Sequence, residues 1–164
     1  MLKNTTKRRF SKRQKRYIKK STKNYNKNKS VRIRENTNNQ EKSHIVRIFL
    51  EMLNVIKLYH WKTRSYSQHK ATDELYERLN GHIDKFIEVL LGKDESRIRM
   101  IEKNIELIDY SETTNFKERI YEYREFLTNI DEYLDKRKDS DLLNIRDEIL
   151  ADINQFLYLM TFDK

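Results

Sequence analysis

Apolar side chains recur every three or four residues along most of this chain, and in 164 residues not one proline breaks the rhythm. That pairing dictates helices. A period near 3.6 gathers apolar groups on one helical face, and proline is the residue that would end such a run. Ile45, Ile48, Phe49, Met52, Leu53, Ile56 and Tyr59 form a first run, with Asn38 and Glu41 spaced as a capping box at its start. A polar link over 62–66 separates it from a second helix over about 67–91, with Leu75, Leu79, Ile83, Phe86 and Leu90 facing the core and Gly92 as its stop. Asn115 and Glu118 make another capping box, opening a third helix through Ile120, Tyr123, Leu127, Ile130 and Leu134, and the basic 136–138 suits its C-terminal dipole. Asp139 or Ser140 caps a fourth, through Leu142, Ile145, Ile149, Ile153, Phe156 and Met160. The polar stretch 93–114 reads as a long crossover holding a short helix. Two short connections flanking one long one predict an all-α four-helix bundle with a single crossover.

Charge divides the chain unevenly. Residues 1–43 hold 16 Lys and Arg against Glu35 and Glu41, a net +14, so the remainder is −5 within an overall +9. Residues 1–37 have too few aliphatic groups to bury and are expected to be a disordered tail, leaving 38–164 as the folded domain. A cationic arm on an acidic body is the footprint of nucleic-acid binding through phosphates, independent of sequence and sensitive to salt. Lys7, Arg8, Arg9, Lys12, Arg13, Lys15, Arg16, Lys19 and Lys20 are the candidate contacts, with Phe10, Tyr17 and Tyr25 nearby. The blander reading of the arm is a solvated extension or a nuclear import signal. The chain has no cysteine, which excludes disulfides and thiolate metal sites. No apolar run is long enough to span a bilayer, so no membrane partner is expected. The basic N-terminus lacks the apolar core of a secretory signal. A cytoplasmic or nucleoid-associated protein is expected. The abundance of Lys, Asn and Ile points to an AT-rich genome, and a large DNA virus or phage would suit, which would add the virion.

Within the second helix, His69, Asp73, Asp84 and Glu88 follow one another at intervals of four, eleven and four. At about 100° per residue these steps rotate by roughly 40°, 20° and 40°, so the four share one stripe. Imidazole and carboxylate are the ligands of iron and zinc sites. Asp73 and Asp84 are nevertheless about 16 Å apart along the axis. One metal centre cannot be reached from both ends of the stripe, whereas an antiparallel copy of the helix in a second subunit would bring the two halves together. Each residue alone has an ordinary reading, as a solvated charge or an i,i+4 surface pair; the joint spacing is what argues for a metal site at a two-fold interface. His82 is turned roughly 200° from Asp84 and reads as a packing or supporting residue. Gly81 reads as a point of close helix approach. A di-iron centre inside one bundle would need Glu-x-x-His on two helices, and this chain has a single copy, Glu41–His44.

The spacing, together with His60-Trp61 at the end of the first helix, resembles the Dps family, the DNA-binding proteins from starved cells in the ferritin-like superfamily. Asp73-Glu74-Leu75-Tyr76, His82-Ile83-Asp84, Glu88 and Leu91-Gly92 carry the likeness, with a weaker echo in Asp141-Leu142-Leu143 and Phe156-Leu157-Tyr158-Leu159-Met160. It spans 44–164 and is specific in 58–92. The chain departs from the family in a shorter His60–His69 link, in Lys62-Thr63-Arg64-Ser65 where a glycine usually follows the His-Trp pair, and in Asn154-Gln155 in place of an acidic-basic pair.

The resemblance implies a ferritin-like bundle, a two-fold dimer and a hollow dodecameric shell. Its inter-subunit sites, with two iron ions each, would oxidise Fe(II) with hydrogen peroxide or oxygen. His60, His69, Asp73, Asp84 and Glu88 would be both metal ligands and the catalytic set, with Asp73 and Glu88 holding iron most tightly. Non-specific DNA binding through the arm would add protection. A rival from another class is a structural nucleic-acid-packaging protein of the same fold with no iron turnover, motivated by the shortened link and the dominant arm. A weaker third reading is a dimeric interaction module whose arm is a localisation signal.

Overall fold

A computed structural model describes residues 38–162 apart from 102, 103, 106, 108 and 111. Four helices carry it: α1 over 38–62, α2 over Tyr66–Gly92, α3 over Thr113–Asn129 and α4 over Ser140–Leu159, with a 3-10 turn at Ile130–Glu132 after α3. No strand occurs among the described residues. The chain is all-α. The basic arm, with its nine candidate phosphate contacts, lies outside the described residues. No described helix is long and apolar enough to cross a membrane.

Contacts at the two ends of the helices fix their directions. Tyr59, late in α1, bonds Gln68 early in α2 (2.6 Å) and Thr113 at the start of α3 (3.0 Å). Phe116 of α3 meets Phe156 late in α4. At the opposite end Lys42 of α1 holds Asp94 just past α2 (2.7 Å), and Lys93 holds Asp139 and Asp141 where α4 begins. So α1 and α4 run one way, α2 and α3 the other. Because α2 and α3 are consecutive and parallel, the chain between them must travel the whole helix length. The crossover does so along α1. It is pinned by Lys42–Asp94, by the Ile101 amide donating to the Ser43 hydroxyl (2.9 Å), and by Lys62–Asp109 at the far end.

The apolar stripes read from the sequence meet in one core. Phe49, Met52, Ile56, Leu79, Phe86, Phe116, Ile120, Leu142 and Ile149 are wholly buried within it. Each such side chain is worth roughly 1.5–3 kcal/mol relative to exposure. Tyr59 lies flat on Phe116, ring centroids 3.8 Å apart.

Several boundaries differ from the sequence reading, each for a local reason. Asn38 is already helical, so it is not the cap of α1. α2 starts at Tyr66, because the Ser65 hydroxyl accepts from the Gln68 amide and caps it there. Gly92 is not a left-handed stop: the Lys93 amide still bonds Val89, and the positive φ falls on Glu95, at 54°. α3 opens at Thr113, two residues before the expected cap Asn115, where the Thr113 hydroxyl is tied to Tyr59. It tightens into the 3-10 turn before Leu134, which is still buried. Asp139 occupies the cap position of α4 but spends its carboxylate on the Asp135 amide (2.8 Å) and Lys93. No helix appears among the described residues of the crossover. A Cβ on Gly81 would meet nothing within 4 Å, so close helix approach is not what that glycine provides.

Candidate functional site

The three-residue turn 63–65 folds the end of α1 back onto the start of α2. The Thr63 amide closes α1 on the Tyr59 carbonyl (2.9 Å), and the Thr63 hydroxyl accepts from the Ser65 amide (3.2 Å). This turn stacks the His60 and His69 rings, centroids 3.9 Å apart at 22°.

Their hydrogen bonds are reciprocal. His60 Nδ1 lies 3.0 Å from the His69 carbonyl oxygen, and His69 Nδ1 lies 3.0 Å from the His60 carbonyl oxygen. A carbonyl only accepts, so both Nδ1 atoms must carry the proton and donate. In the neutral rings the lone pair is therefore on Nε2 in both. A backbone carbonyl on one ring nitrogen, fixing the tautomer and turning the other nitrogen outward, is the usual support of a metal-binding histidine. Thr72, wholly buried, reinforces the arrangement: its hydroxyl donates to the Gln68 carbonyl (2.7 Å) and sits 3.3 Å from His60 Nδ1.

Asp73 stands one turn beyond His69. Its Oδ1 is 3.7 Å from His60 Nε2 and 3.6 Å from the Lys57 ammonium, while Lys57 also lies over the Tyr76 ring, 4.6 Å from its centroid. His60 is buried, His69 and Asp73 are half-buried, and Trp61 beside them is 70% exposed. Asp84 and Glu88 are exposed on the same helical stripe, about 16 Å and 22 Å further along α2. The fold thus gathers His60, His69 and Asp73 at one end and leaves Asp84 and Glu88 apart. Among the described residues of one chain, no three His, Asp or Glu converge as a metal site.

His82 has a role the sequence reading did not give it. It bridges α2 to α4, with Nδ1 2.9 Å from Asp152 and Nε2 3.5 Å from Glu148, and Arg78 closes on the same Asp152. A polar bridge between the two helices, rather than support of the stripe, explains its position.

The second charged constellation is interior. Glu51 of α1 is buried, its side chain 2% exposed. It is bound by Arg47 (3.2 Å), by the Tyr123 hydroxyl (3.1 Å) and by Arg119, which also pairs with Glu122. Burial, and then the charge of Glu51, pushes the Tyr123 phenol well above its ordinary range, against the pull of Arg119. Burial opposes the Arg119 charge too, yet the hydrogen bonds it donates to Glu122 and Glu51 outweigh it and hold the guanidinium above its ordinary range. An interior di-metal centre takes its carboxylates and histidines from facing helices. Here the carboxylate of α1 already faces two guanidinium cations, and His44 of the lone Glu-x-x-His packs against Phe126 and Tyr133. The Glu51 carboxylate is thus already met by protein cations.

Sequence reasoning missed Lys57, Thr72 and the Glu51–Arg119 pair. A signal for Lys57 was present, since it lies three residues before His60 and so on the same side of α1. Glu51 carried one as well: it falls between Ile48 and Val55 at apolar spacing.

The family model described as "Family of unknown function (DUF5856)" matches residues 60–160, the stretch from the paired histidines to the end of α4. No curated protein and no solved structure matches the chain.

Proposed function

The chain belongs to DUF5856, a family of unknown function, and from that premise we propose that it is a Dps-like ferroxidase and mini-ferritin that also binds nucleic acid through its basic arm. The observation that carries the reading is the reciprocal locking of His60 and His69. Both Nδ1 protons are committed to backbone carbonyls, so both Nε2 lone pairs are available, with the Asp73 carboxylate beside one of them. That donor set suits Fe(II), which accepts imidazole and carboxylate together.

Three further facts support it. The helix order, with α2 and α3 parallel across a long crossover, is the connectivity of ferritin-like folds. The buried Glu51 carboxylate is already met by Arg119 and Arg47, which favours the surface stripe as the place for metal chemistry. Finally, Asp84 and Glu88 share that stripe at a distance a two-fold partner would bridge. In the assembled dimer each site would take His60, His69 and Asp73 from one subunit and the residues equivalent to Asp84 and Glu88 from the other, holding two Fe(II). Hydrogen peroxide would accept one electron from each iron and two protons, leaving as two molecules of water. A dodecameric shell would store the ferric product, and the arm would hold DNA against it.

One observation favours the rival, a nucleic-acid-packaging protein without iron turnover: the Lys57 ammonium lies on the Asp73 oxygen a metal would use. One experiment separates the two. Purified protein is titrated anaerobically with Fe(II), then given hydrogen peroxide or oxygen while ferric absorbance is followed. Stoichiometric binding and rapid oxidation, both lost in an Asp73→Ala, Glu88→Ala variant that still condenses DNA, are expected. Oxidation no faster than the protein-free blank, with DNA condensation intact, would leave packaging as the function.

A further inference from the structure

A cavity opens where the end of α1, the 63–65 turn, the start of α2 and the start of α3 come together. Its volume is about 460 Å³, within the roughly 300–1,000 Å³ of small-molecule sites. Its walls come from three directions: Tyr59 and Lys62 from α1, Thr63, Arg64 and Ser65 from the turn, and Gln68 and Thr113 from α2 and α3.

The chemistry of those walls is one-sided. Among the described residues four hydroxyls, one amide and two cations line the space, and no carboxylate does. The deep wall is rigid. Tyr59 and Gln68 are buried, the Tyr59 and Thr63 hydroxyls both donate to the Gln68 oxygen (2.6 and 2.7 Å), and Tyr59 is held flat against Phe116. The rim is cationic. Lys62 is paired with Asp109, whereas Arg64 makes no ion pair among the described residues. α2 and α3 both begin at this cavity, and helix N-termini add positive potential there.

We infer that this cavity binds a phosphoryl group, with Arg64 as its principal cation and the Lys62 ammonium and the Thr113 hydroxyl as further donors. A guanidinium offers paired donors to an oxyanion. Donors on three separate walls suit a tetrahedral group better than a planar carboxylate, and the volume leaves room for the sugar a phosphate ester would carry. The group could belong to a free nucleotide or to the backbone of a nucleic acid. The inference is independent of the iron reading, and a protein with no ferroxidase activity would still possess the cavity.

The test is a titration of the full chain with adenosine diphosphate and with inorganic pyrophosphate at physiological salt. Binding is followed by calorimetry and by emission of Trp61, the single tryptophan, which adjoins Lys62. Arg64→Ala removes the cation, and Thr113→Phe fills the cavity without changing the charge of the chain. Arg137→Ala removes one charge next to Lys138, whose carbonyl binds Lys93 at the opposite end of the helices. Binding at least tenfold weaker in Arg64→Ala and in folded Thr113→Phe, and unchanged in Arg137→Ala, is expected. Should Thr113→Phe fail to fold, Arg64→Ala against Arg137→Ala decides. Equal affinity in the variants, or no binding of either probe, overturns the inference. A single-stranded oligonucleotide then identifies the source: displacement of the diphosphate assigns the cavity to backbone phosphate, and simultaneous binding assigns it to a free phosphate ester.

Discussion

Glu51 and Asp73 are both carboxylates met by basic side chains from a facing helix, and they have opposite fates. Glu51 is buried and its partners are complete: two guanidinium groups and a phenol surround it. Asp73 is 39% exposed, and its two basic neighbours stand at 3.6 and 3.7 Å, longer than a hydrogen bond. The difference separates a charge used to hold helices together from one left able to exchange partners. A buried charge has to be met by opposite charge and hydrogen bonds. A binding residue has to keep unspent capacity, and Asp73 with the two Nε2 atoms keeps it.

The largest expected effect tests the closed half. Glu51→Ala strands Arg119 and Arg47 without their carboxylate, which should cost about 3–5 kcal/mol, read as a fall in the urea unfolding midpoint. The folded fraction should bind Fe(II) as before. Replacing Glu51, Arg47 and Arg119 together by Met should recover most of the loss, since a buried ion cluster is rarely better than apolar packing of similar volume.

The open half should behave in reverse. Asp73→Asn is expected to weaken Fe(II) or Co(II) binding by at least about tenfold, the scale at which even supporting groups around a metal matter. Its unfolding midpoint should shift by less than about 1 kcal/mol, because exposed pairs are worth little. A variant that lost stability and kept its metal affinity would show that Asp73 belongs with Glu51 after all.

Lys57 sharpens the comparison further, with a smaller effect. Its ammonium competes with any metal for Asp73, and an exposed pair of that kind is worth up to about 1 kcal/mol. Lys57→Met should therefore raise metal affinity by up to about fivefold, measured by competition with a chromogenic chelator. Unchanged affinity would mean that the ammonium swings away without cost.

These two halves were unequally legible in the sequence. The helices were readable because burial imposes a 3.6 period on Ile, Leu and Phe, whatever they pack against. The stripe His69–Asp73–Asp84–Glu88 was readable because a helix turns spacing into direction. The carbonyl exchange between His60 and His69 was not, since it depends on how tightly 63–65 turns, and composition gave only a polar link there. Nor was the contact of Lys57 with Asp73, which is set by how α1 crosses α2. Arg119 and Glu51 were hidden for a different reason. In a chain that is 37% charged, a single Glu or Arg looks solvated until a facing helix is known.

The smallest effect concerns the crossover, and its sign follows from the carboxyl group of Asp94. Hydrogen bonds from Lys42 and then Ser96 hold that carboxyl below its ordinary 3.8, against the opposing effect of burial. A carboxyl with a depressed folded value stabilises the fold above its ordinary value, and the contribution disappears as pH falls through the folded one. Lys42→Met removes the first cause. The stability gap between the original protein and this variant should be constant near neutral pH and should narrow as pH drops below 3.8, measured by urea unfolding at each pH. Asp94 is partly exposed, so solvent screening keeps the gap to a fraction of what Glu51 is worth. If the gap instead stayed constant into acid, Lys42 would be acting through its buried stem, and the crossover would be held by packing rather than by charge.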